Sequence, residues 1–269
     1  MNDEIAKKLV CPYDHSHVIL QAGRYFECAK CQRRYPIRKE GIADFLPDSL
    51  RERVAEEGDE PRLEAKENTG QWQPGLRYWN PGLLANILRF GQGTGRLIDK
   101  KAGMTLLDVG CGGNAQGDVN TDVYLPNPIP QNFILASAEF LPFKDNSFDI
   151  VRSAYVIEHN LFPTEMIKEH FRVCQQRVVI YTDNSDWVGA IALRCLNTGY
   201  IFHDEHYFKW SKEYFRNLIN RLGFKGEVRV FNSSPSVMVK LIALLGRLPR
   251  IGPLFYRDLG VEIEKDNSI

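Results

Sequence analysis

The chain has no excess of charge of either sign and no apolar run long enough to span a membrane. Its 269 residues include 34 basic and 34 acidic side chains, so the formal net charge is zero. A neutral chain has no global field that attracts nucleic acid or an anionic membrane. The most apolar late stretch, 237–245, contains Lys240 and is far shorter than the roughly 20 residues of a spanning helix. The first ten residues lack an apolar run, so we expect no signal peptide.

The six cysteines are too few for a small disulfide scaffold, and their distribution does not match one either. Three of the six cysteines cluster near the amino terminus, and the other three lie in apolar surroundings. Thiols in this pattern favour a reducing compartment, so we expect a cytoplasmic protein.

The most informative stretch runs from Thr105 to Asp122. An apolar run ends in Asp108, a glycine-rich turn (residues 110–113) follows, and a second strand-like segment ends in Asp122. Glycine lets a backbone approach a ligand closely because it has no Cβ. An acid at the end of the next strand is suited to bind both hydroxyls of a ribose. This pattern predicts a site for an adenosine-containing ligand at the carboxyl edge of a parallel sheet.

Three segments, LLDVGCGGN, ASAEFLPFKDNSFDIV and SAYVIEHN, resemble in order and spacing the motifs of class I S-adenosylmethionine (SAM) dependent methyltransferases, type 11 in particular. The resemblance extends from about residue 104 to residue 265. It implies a methyltransferase with SAM as its cofactor and an α/β fold, a doubly wound Rossmann-like sheet of seven strands. In that fold the last strand inserts antiparallel between the fifth and the sixth.

The resemblance also assigns cofactor-binding positions. Asp108 is expected to hold the ammonium end of the ligand, and Asp122 its ribose. Ser137 stands where the family has an acid that accepts a hydrogen bond from the adenine amine. The complete expected set is Asp108, Gly110, Cys111, Gly112, Asp122, Ser137, Ala138, Glu139 and Ser153.

Two departures from the family pattern lie next to this site. Asn114 replaces the usual third glycine, and asparagine tolerates a positive φ better than most residues. Only three residues, 115–117, separate the turn from the following DVNTD segment, where most members have a full helix. We therefore expect a loop or a single turn there.

Acceptor contacts are predicted at the end of the fourth strand and in the insertion 183–206. Tyr155, Glu158, His203, His206 and Tyr207 are the candidate acceptor contacts. Two readings of His159 stay open, because it is suited to act as a general base or to shape the substrate entrance. The histidines of the insertion lack partner carboxylates at a fixed spacing, so the sequence does not favour a second metal site.

The amino-terminal segment is too small to form its own core and needs a staple such as a metal ion. Cys28 and Cys31 form a C-x-x-C pair of the kind that binds zinc, with Cys11 as a third ligand. The fourth ligand is Asp14, His15 or His17, unless the ion is absent; the predicted set is Cys11, Asp14, Cys28 and Cys31. LVCPYD and FECAKCQRRYPIRKEGIADFL resemble the short zinc domain that precedes some methyltransferases and that also exists as the small activator of tRNA and protein methyltransferases.

We divide the chain into a zinc-binding-type module (1–47), a charged linker with a lead-in segment (48–80) and a SAM-dependent methyltransferase domain (81–269). The aromatic residues of the lead-in segment pack where the domains meet or line the substrate entrance; they are Trp72, Tyr78 and Trp79. The apolar, cationic segment 236–257 is a covering helix and loop or a peripheral membrane contact.

Three functions compete. The first is methyl transfer to an O or N of a small-molecule, lipid or glycan acceptor. The second is RNA methylation, with the zinc module and its basic edge docking the RNA; that edge consists of Arg33, Arg34, Arg38 and Lys39. The third is a non-catalytic SAM-binding partner protein. DNA adenine and 5-methylcytosine chemistry is disfavoured, because neither an N/D-P-P-Y/F motif nor a Pro-Cys nucleophile occurs near the fourth strand.

Overall fold

The computed structural model describes residues 3–51, 98, 100–188, 206–231, 251–256 and 258–265. Three predictions therefore lie wholly or largely outside the described residues: the aromatic residues of the lead-in segment, the acceptor candidate His203, and the segment 236–257, of which 251–256 are described. No helix in the described part of the chain has the length and apolar character that a bilayer crossing requires.

The amino-terminal residues form a small antiparallel sheet after a one-turn helix, α1 (Asp3–Ala6). Its strands are β1 (Val18–Gln21), β2 (Tyr25–Cys28) and β3 (Arg34–Pro36). Both β1 and β3 pair with β2. This arrangement puts Cys28 at the end of the central strand, close to the loop that carries the first cysteine.

The larger sheet has seven strands. In chain order they are β4 (Leu106–Val109), β5 (Val119–Asp122), β6 (Phe133–Leu135), β7 (Phe148–Ala154), β8 (Cys174–Asp183), β9 (Gly226–Phe231) and β10 (Asp258–Glu264). Their spatial order is β6-β5-β4-β7-β8-β10-β9. The five strands from β4 to β8 are parallel, and β10 is antiparallel to both of its neighbours. The predicted doubly wound seven-stranded fold is confirmed, including the position of the last strand.

The direction of winding reverses at β4. This strand pairs with β5 on one side and with β7 on the other, and all four of its residues are buried. Ligands of open α/β sheets bind at such a reversal, outside the carboxyl ends of the strands. We therefore expect the functional site outside the carboxyl ends of β4 and β7.

In the described part of the chain, two amphipathic helices pack on this sheet. The helix α2 (Pro163–Val173) has a proline in its first turn and buries Met166, Ile167, His170 and Val173, which recur at helical spacing. It passes into β8 without a loop, since β8 begins at Cys174. The helix α3 (Lys212–Arg221) is capped by Ser211, whose hydroxyl accepts a hydrogen bond from the Tyr214 amide at 3.1 Å.

The amino-terminal sheet and the larger sheet share one hydrophobic core. Leu9 and Phe45 belong to the same buried cluster as Phe143 and Phe148. The Phe45 amide donates to the Leu135 carbonyl at 2.9 Å, and the segment around it pairs with the edge strand β6. The amino-terminal sheet is thus packed against the larger sheet and covers an otherwise open sheet edge.

The connection between the glycine turn and β5 contains no helix, as expected from its length. Asp118 lies at the amino end of β5, where its carboxylate accepts from the Leu106 amide at 2.7 Å and pairs with Lys100 at 2.7 Å. It therefore lies at the opposite end of the strand from Asp122.

Candidate cofactor and acceptor site

The glycine turn is built around one carbonyl group. The amides of Gly110 and Cys111 both donate to the Thr121 carbonyl, at 2.8 and 3.0 Å. Gly110 has φ +67°, and a Cβ there would stand 2.3 Å from Val156 Cγ2. A side chain at this position would collide with Val156, two residues beyond the end of β7. Gly112 has φ +50°, and no atom of the described residues lies within 4 Å of a Cβ placed on it.

Asp122, the predicted ribose ligand, accepts hydrogen bonds from three backbone amides. One oxygen accepts from Gly112 at 2.9 Å, and the other from Val123 at 2.7 Å and Tyr124 at 3.2 Å. Burial raises the pKa of this carboxyl, while the three amides favour its charged form. A carboxylate offers about four lone-pair directions, so one remains for a ligand hydroxyl. In this structure Asp122 also fixes the glycine turn.

Asp108, the predicted ligand of the ammonium group, is fully buried. One of its oxygens lies 2.6 Å from Arg152 Nη1, and the other accepts from the Gln116 amide at 2.9 Å. Burial raises its pKa and the guanidinium opposes that shift. Both oxygens are engaged within the protein, and contact with a ligand stays a prediction. Sequence reasoning missed Arg152, although a charged residue inside the apolar run FDIVRS was a signal that it needs a buried partner.

The predicted adenine-side residues follow β6. Ser137 and Ala138 are buried, and the Ser137 hydroxyl donates to the Glu139 carboxylate. The lone pairs of that hydroxyl stay able to accept, as expected for a contact with an amine. Phe140, 37% exposed, packs against Tyr13, in the turn before β1, with ring centroids 5.7 Å apart.

The end of β7 holds two unusual residues. The Ser153 hydroxyl is buried and has no hydrogen-bond partner among the described residues. Tyr155 has φ +58°, a left-handed conformation rare for a bulky residue. Its hydroxyl donates to Asp258 at 2.8 Å and its amide to the Tyr181 carbonyl at 2.9 Å. Such backbone strain is typical of functional sites. Tyr155 stands between the end of β7 and the Glu158–His159 pair.

Glu158, His159 and His206 come together beyond this turn. One nitrogen or oxygen atom of each lies within 4.8 Å of the other two. The histidine rings meet edge to face, with centroids 4.5 Å apart. Glu158 is 2% exposed, and burial, followed by the charge of Asp183, raises its pKa to about 8. Tyr207, the remaining described acceptor candidate, is 52% exposed.

The four predicted zinc ligands also come together. Cys11, Asp14, Cys28 and Cys31 each place a ligand atom within 4.8 Å of the others. Cys11 Sγ and Cys31 Sγ are 3.7 Å apart, and Cys28 Sγ accepts from the Cys31 amide at 3.4 Å. The Ser16 amide lowers the pKa of Asp14 to about 2, so this side chain is a charged oxygen ligand. Among the open candidates for the fourth position, the geometry favours Asp14.

Residues 107–182 match the profile of a family described as "Methyltransferase domain". The matched segment starts in β4, contains the glycine turn, Asp122 and Ser137, and ends in β8 beyond Glu158. This match supports a methyltransferase domain in this part of the chain, as the resemblance of its motifs implied. None of the curated proteins compared with the chain matches it.

Solved structures of SAM-dependent methyltransferases are similar to this chain at low sequence identity. One from Archaeoglobus fulgidus is 16% identical, with a TM-score of 0.47 over 77% of this chain and 100% of that one. One from Thermotoga maritima is 16% identical, with a TM-score of 0.46 over 68% and 94%. A magnesium protoporphyrin IX methyltransferase from Synechocystis, with SAH bound, is 14% identical, with a TM-score of 0.42 over 61% and 74%.

Proposed function

We propose that this SAM-dependent methyltransferase moves a methyl group to an oxygen or nitrogen of a small-molecule, lipid or glycan acceptor. The proposal is carried by one contact: Val156 packs against Gly110 of the glycine turn, and Glu158 and His159 follow two and three residues after Val156. Polar groups suited to an acceptor therefore lie beside the turn that we assign to the methyl donor.

The residues at the carboxyl edge fit SAM. Gly112 leaves room for a ligand against its backbone, and one lone-pair direction of Asp122 is suited to a ribose hydroxyl. The buried Ser153 hydroxyl lacks a partner among the described residues and is suited to the methionine portion. We assign the adenine to Ser137, Ala138 and Glu139, and the backbone around the sulfonium to Gly110, Cys111 and Gly112.

Catalysis rests mainly on positioning. SAM supplies a methyl group that is already activated as a sulfonium. The protein aligns the acceptor atom with that methyl group, which accounts for most of the rate in reactions of this type. For a hydroxyl acceptor, a base that removes the proton is also needed, and His159 is our candidate.

For the amino-terminal module we propose a structural zinc ion held by Cys11, Asp14, Cys28 and Cys31. Three thiols and a carboxylate that converge around one point suit the tetrahedral preference of zinc. Because the module shares the core of the catalytic fold, the ion would stabilise the whole protein.

RNA is the less favoured acceptor. The basic edge is largely neutralised, since Arg33 pairs with Asp48, Arg34 with Glu27 and Arg38 with the buried Asp44, each at 3.0 Å. Paired arginines contribute little to phosphate binding, which depends on net positive charge.

We place the enzyme in the cytoplasm. The five described cysteines are all free thiols, which is typical of a reducing compartment. If the acceptor is a lipid, the segment 236–257 is our candidate for contact with the membrane surface.

The test combines cofactor binding with acceptor identification. Calorimetry with SAM on the full chain is expected to show one binding site, and Asp122→Ala should abolish it. Asp118→Ala is the control, because Asp118 lies at the opposite end of β5, and it should retain SAM binding. A radiolabelled methyl-transfer assay on fractionated cell extract is expected to label small molecules, lipids or glycans. Label confined to the RNA fraction would establish the alternative acceptor, and absence of SAM binding would reject the proposal entirely.

A further inference from the structure

We propose that Glu158, His159 and His206 form a second metal site, for a divalent transition ion such as Zn²⁺, Mn²⁺ or Fe²⁺. The ion would bind the acceptor oxygen, a role that rests on the proposed function; metal binding itself does not. The site is separate from the cysteine cluster and shares no ligand with it.

The geometry of the three side chains is that of a preformed ligand set. Their ligand atoms lie within 4.8 Å of one another. Ligands bound at about 2.0–2.2 Å around one ion are separated by roughly 3–4 Å. Small rotations of the side chains would therefore bring all three into coordination. The edge-to-face arrangement of the histidine rings is compatible with two nitrogens turned toward one point.

The backbone holds these residues together. The amides of Tyr207 and Phe208 donate to the Glu158 carbonyl at 2.8 and 3.3 Å. These bonds fix the segment that carries His206 beside the turn that carries His159. The turn is itself closed by the His159 amide, which donates to the Val156 carbonyl at 3.0 Å.

The carboxyl group of Glu158 gives an independent indication of a ligand. It is 2% exposed, and one oxygen accepts from the Thr182 hydroxyl at 3.0 Å. The other oxygen is buried and has no hydrogen-bond partner among the described residues. A buried carboxyl oxygen without a partner is costly, and a metal ion would satisfy it. Thr182 would then orient the ligand from outside the coordination shell.

The ligand types select the class of ion. Two imidazoles and one carboxylate suit zinc and the open sites of iron(II) and manganese. Magnesium and calcium prefer sites made of oxygen alone. Three protein ligands leave at least one coordination position for an acceptor oxygen.

The position beside the glycine turn indicates what the ion does. A hydroxyl bound to the ion would have a lowered pKa and would release its proton to solvent. In that case His159 acts as a ligand of the ion and not as the general base. Its oxygen is then the nucleophile: a C–O bond forms to the methyl carbon, the C–S bond breaks, and the sulfur keeps the electron pair. The products are the methyl ether, a neutral thioether and one proton. The proposal therefore narrows the acceptor to a molecule with a hydroxyl group.

The test is cobalt titration of the full chain after removal of metals. Thiolate-bound cobalt has intense charge-transfer bands that a site of nitrogen and oxygen ligands lacks, so the two sites are distinguishable in one titration. We expect two equivalents per chain, only one with thiolate bands. His206→Asn and Glu158→Gln should each lose the equivalent without these bands, while Cys31→Ser should lose the other.

Two further variants separate coordination from folding. Thr182→Val should weaken the second equivalent by about 10- to 100-fold, the usual effect of removing a group that orients a ligand. Tyr207→Phe, next to His206, should leave both equivalents intact. A single equivalent in the unaltered protein, or two in folded His206→Asn and Glu158→Gln, would overturn the proposal. Calorimetry with SAM is independent of this titration, so loss of the proposed function and loss of the metal site give different results.

Discussion

Arg152 Nη1 lies 2.6 Å from Asp108 Oδ1, and these side chains are only 4% and 0% exposed. The two residues face each other across the paired strands β4 and β7. Asp108 also accepts from the Gln116 amide, so one ion pair connects the central strands to the loop behind the glycine turn. The shape of the glycine turn therefore depends on a buried pair of charges.

Removing one member of this pair should destabilise the fold. Arg152→Met leaves Asp108 buried without a counter-charge, and we expect a loss of about 3–5 kcal/mol in the free energy of unfolding. Urea denaturation measures it. Arg177→Met is the control, because Arg177 pairs with Glu262 at 2.7 Å near the surface and should cost no more than about 1 kcal/mol. Equal losses in the two variants would show that the buried pair has no special role.

The requirement for glycine at position 110 is testable by a double substitution. Gly110→Ala adds a Cβ that would stand 2.3 Å from Val156 Cγ2, in a left-handed conformation. We expect calorimetry to show that SAM binding is lost. We also expect the free energy of unfolding to fall by more than the roughly 1–2 kcal/mol that a left-handed alanine costs by itself. Combining it with Val156→Ala removes the collision and should recover part of the stability.

Gly103→Ala is the matched control for Gly110→Ala. Gly103 has φ +85°, and no described atom lies within 4 Å of its added Cβ. It should therefore show only the conformational cost. If Gly103→Ala and Gly110→Ala were equally destabilised, the contact with Val156 would have no energetic role.

The order of the strands, the helix α2 and the loop after the glycine turn were all predictable from local patterns. Apolar runs ending in acids or serine mark buried parallel strands, and proline at the start of an amphipathic pattern marks the first turn of Pro163–Val173. The local pattern indicates the fifth strand only at 177–182, whereas β8 spans Cys174–Asp183. Its first residues pair with neighbours that the local pattern does not specify.

The polar contacts of the site were not predictable in the same way. The partnership of Arg152 with Asp108 depends on the register between two strands. The cluster of Glu158 and His206 depends on a tertiary contact between residues far apart in sequence. From sequence, the histidines of the insertion had no partner carboxylate; the fold supplies Glu158, and it is this side chain that motivates the metal proposal.

Ser137, which we assign to the adenine, should contribute modestly to the affinity for SAM. Ser137→Ala removes one hydrogen-bond acceptor, which is worth about 0.5–1.5 kcal/mol, or roughly 2- to 12-fold in the dissociation constant of SAM. Calorimetry measures this change. Ser147→Ala is the control. The Ser147 hydroxyl donates to the Lys144 carbonyl in a surface turn, so this variant should bind SAM with unchanged affinity. An unchanged affinity in Ser137→Ala would remove Ser137 from the site.

Acid should destabilise the protein through His170, which is fully buried in α2. Its Nδ1–H donates to the Met166 carbonyl at 2.7 Å, and burial lowers its pKa to about 4 from 6.5. The unfolded chain binds the proton below pH 6.5, whereas the folded protein does not until about pH 4. The contribution of His170 to the free energy of unfolding is therefore fully present above pH 6.5. It is lost as the pH falls to 4, and the loss is about 3 kcal/mol.

His170→Gln tests this assignment, because a neutral amide still donates to the Met166 carbonyl. Denaturation series between pH 7 and pH 4 measure how the free energy of unfolding falls with pH. In His170→Gln this fall should be smaller by the contribution of His170, even if the variant is less stable at neutral pH. Met166→Leu changes the neighbouring packing without changing any titrating group, so it should keep the full slope. If His170→Gln kept that slope too, other groups would be responsible for the acid sensitivity, because the difference between the two variants isolates the proton taken up by His170.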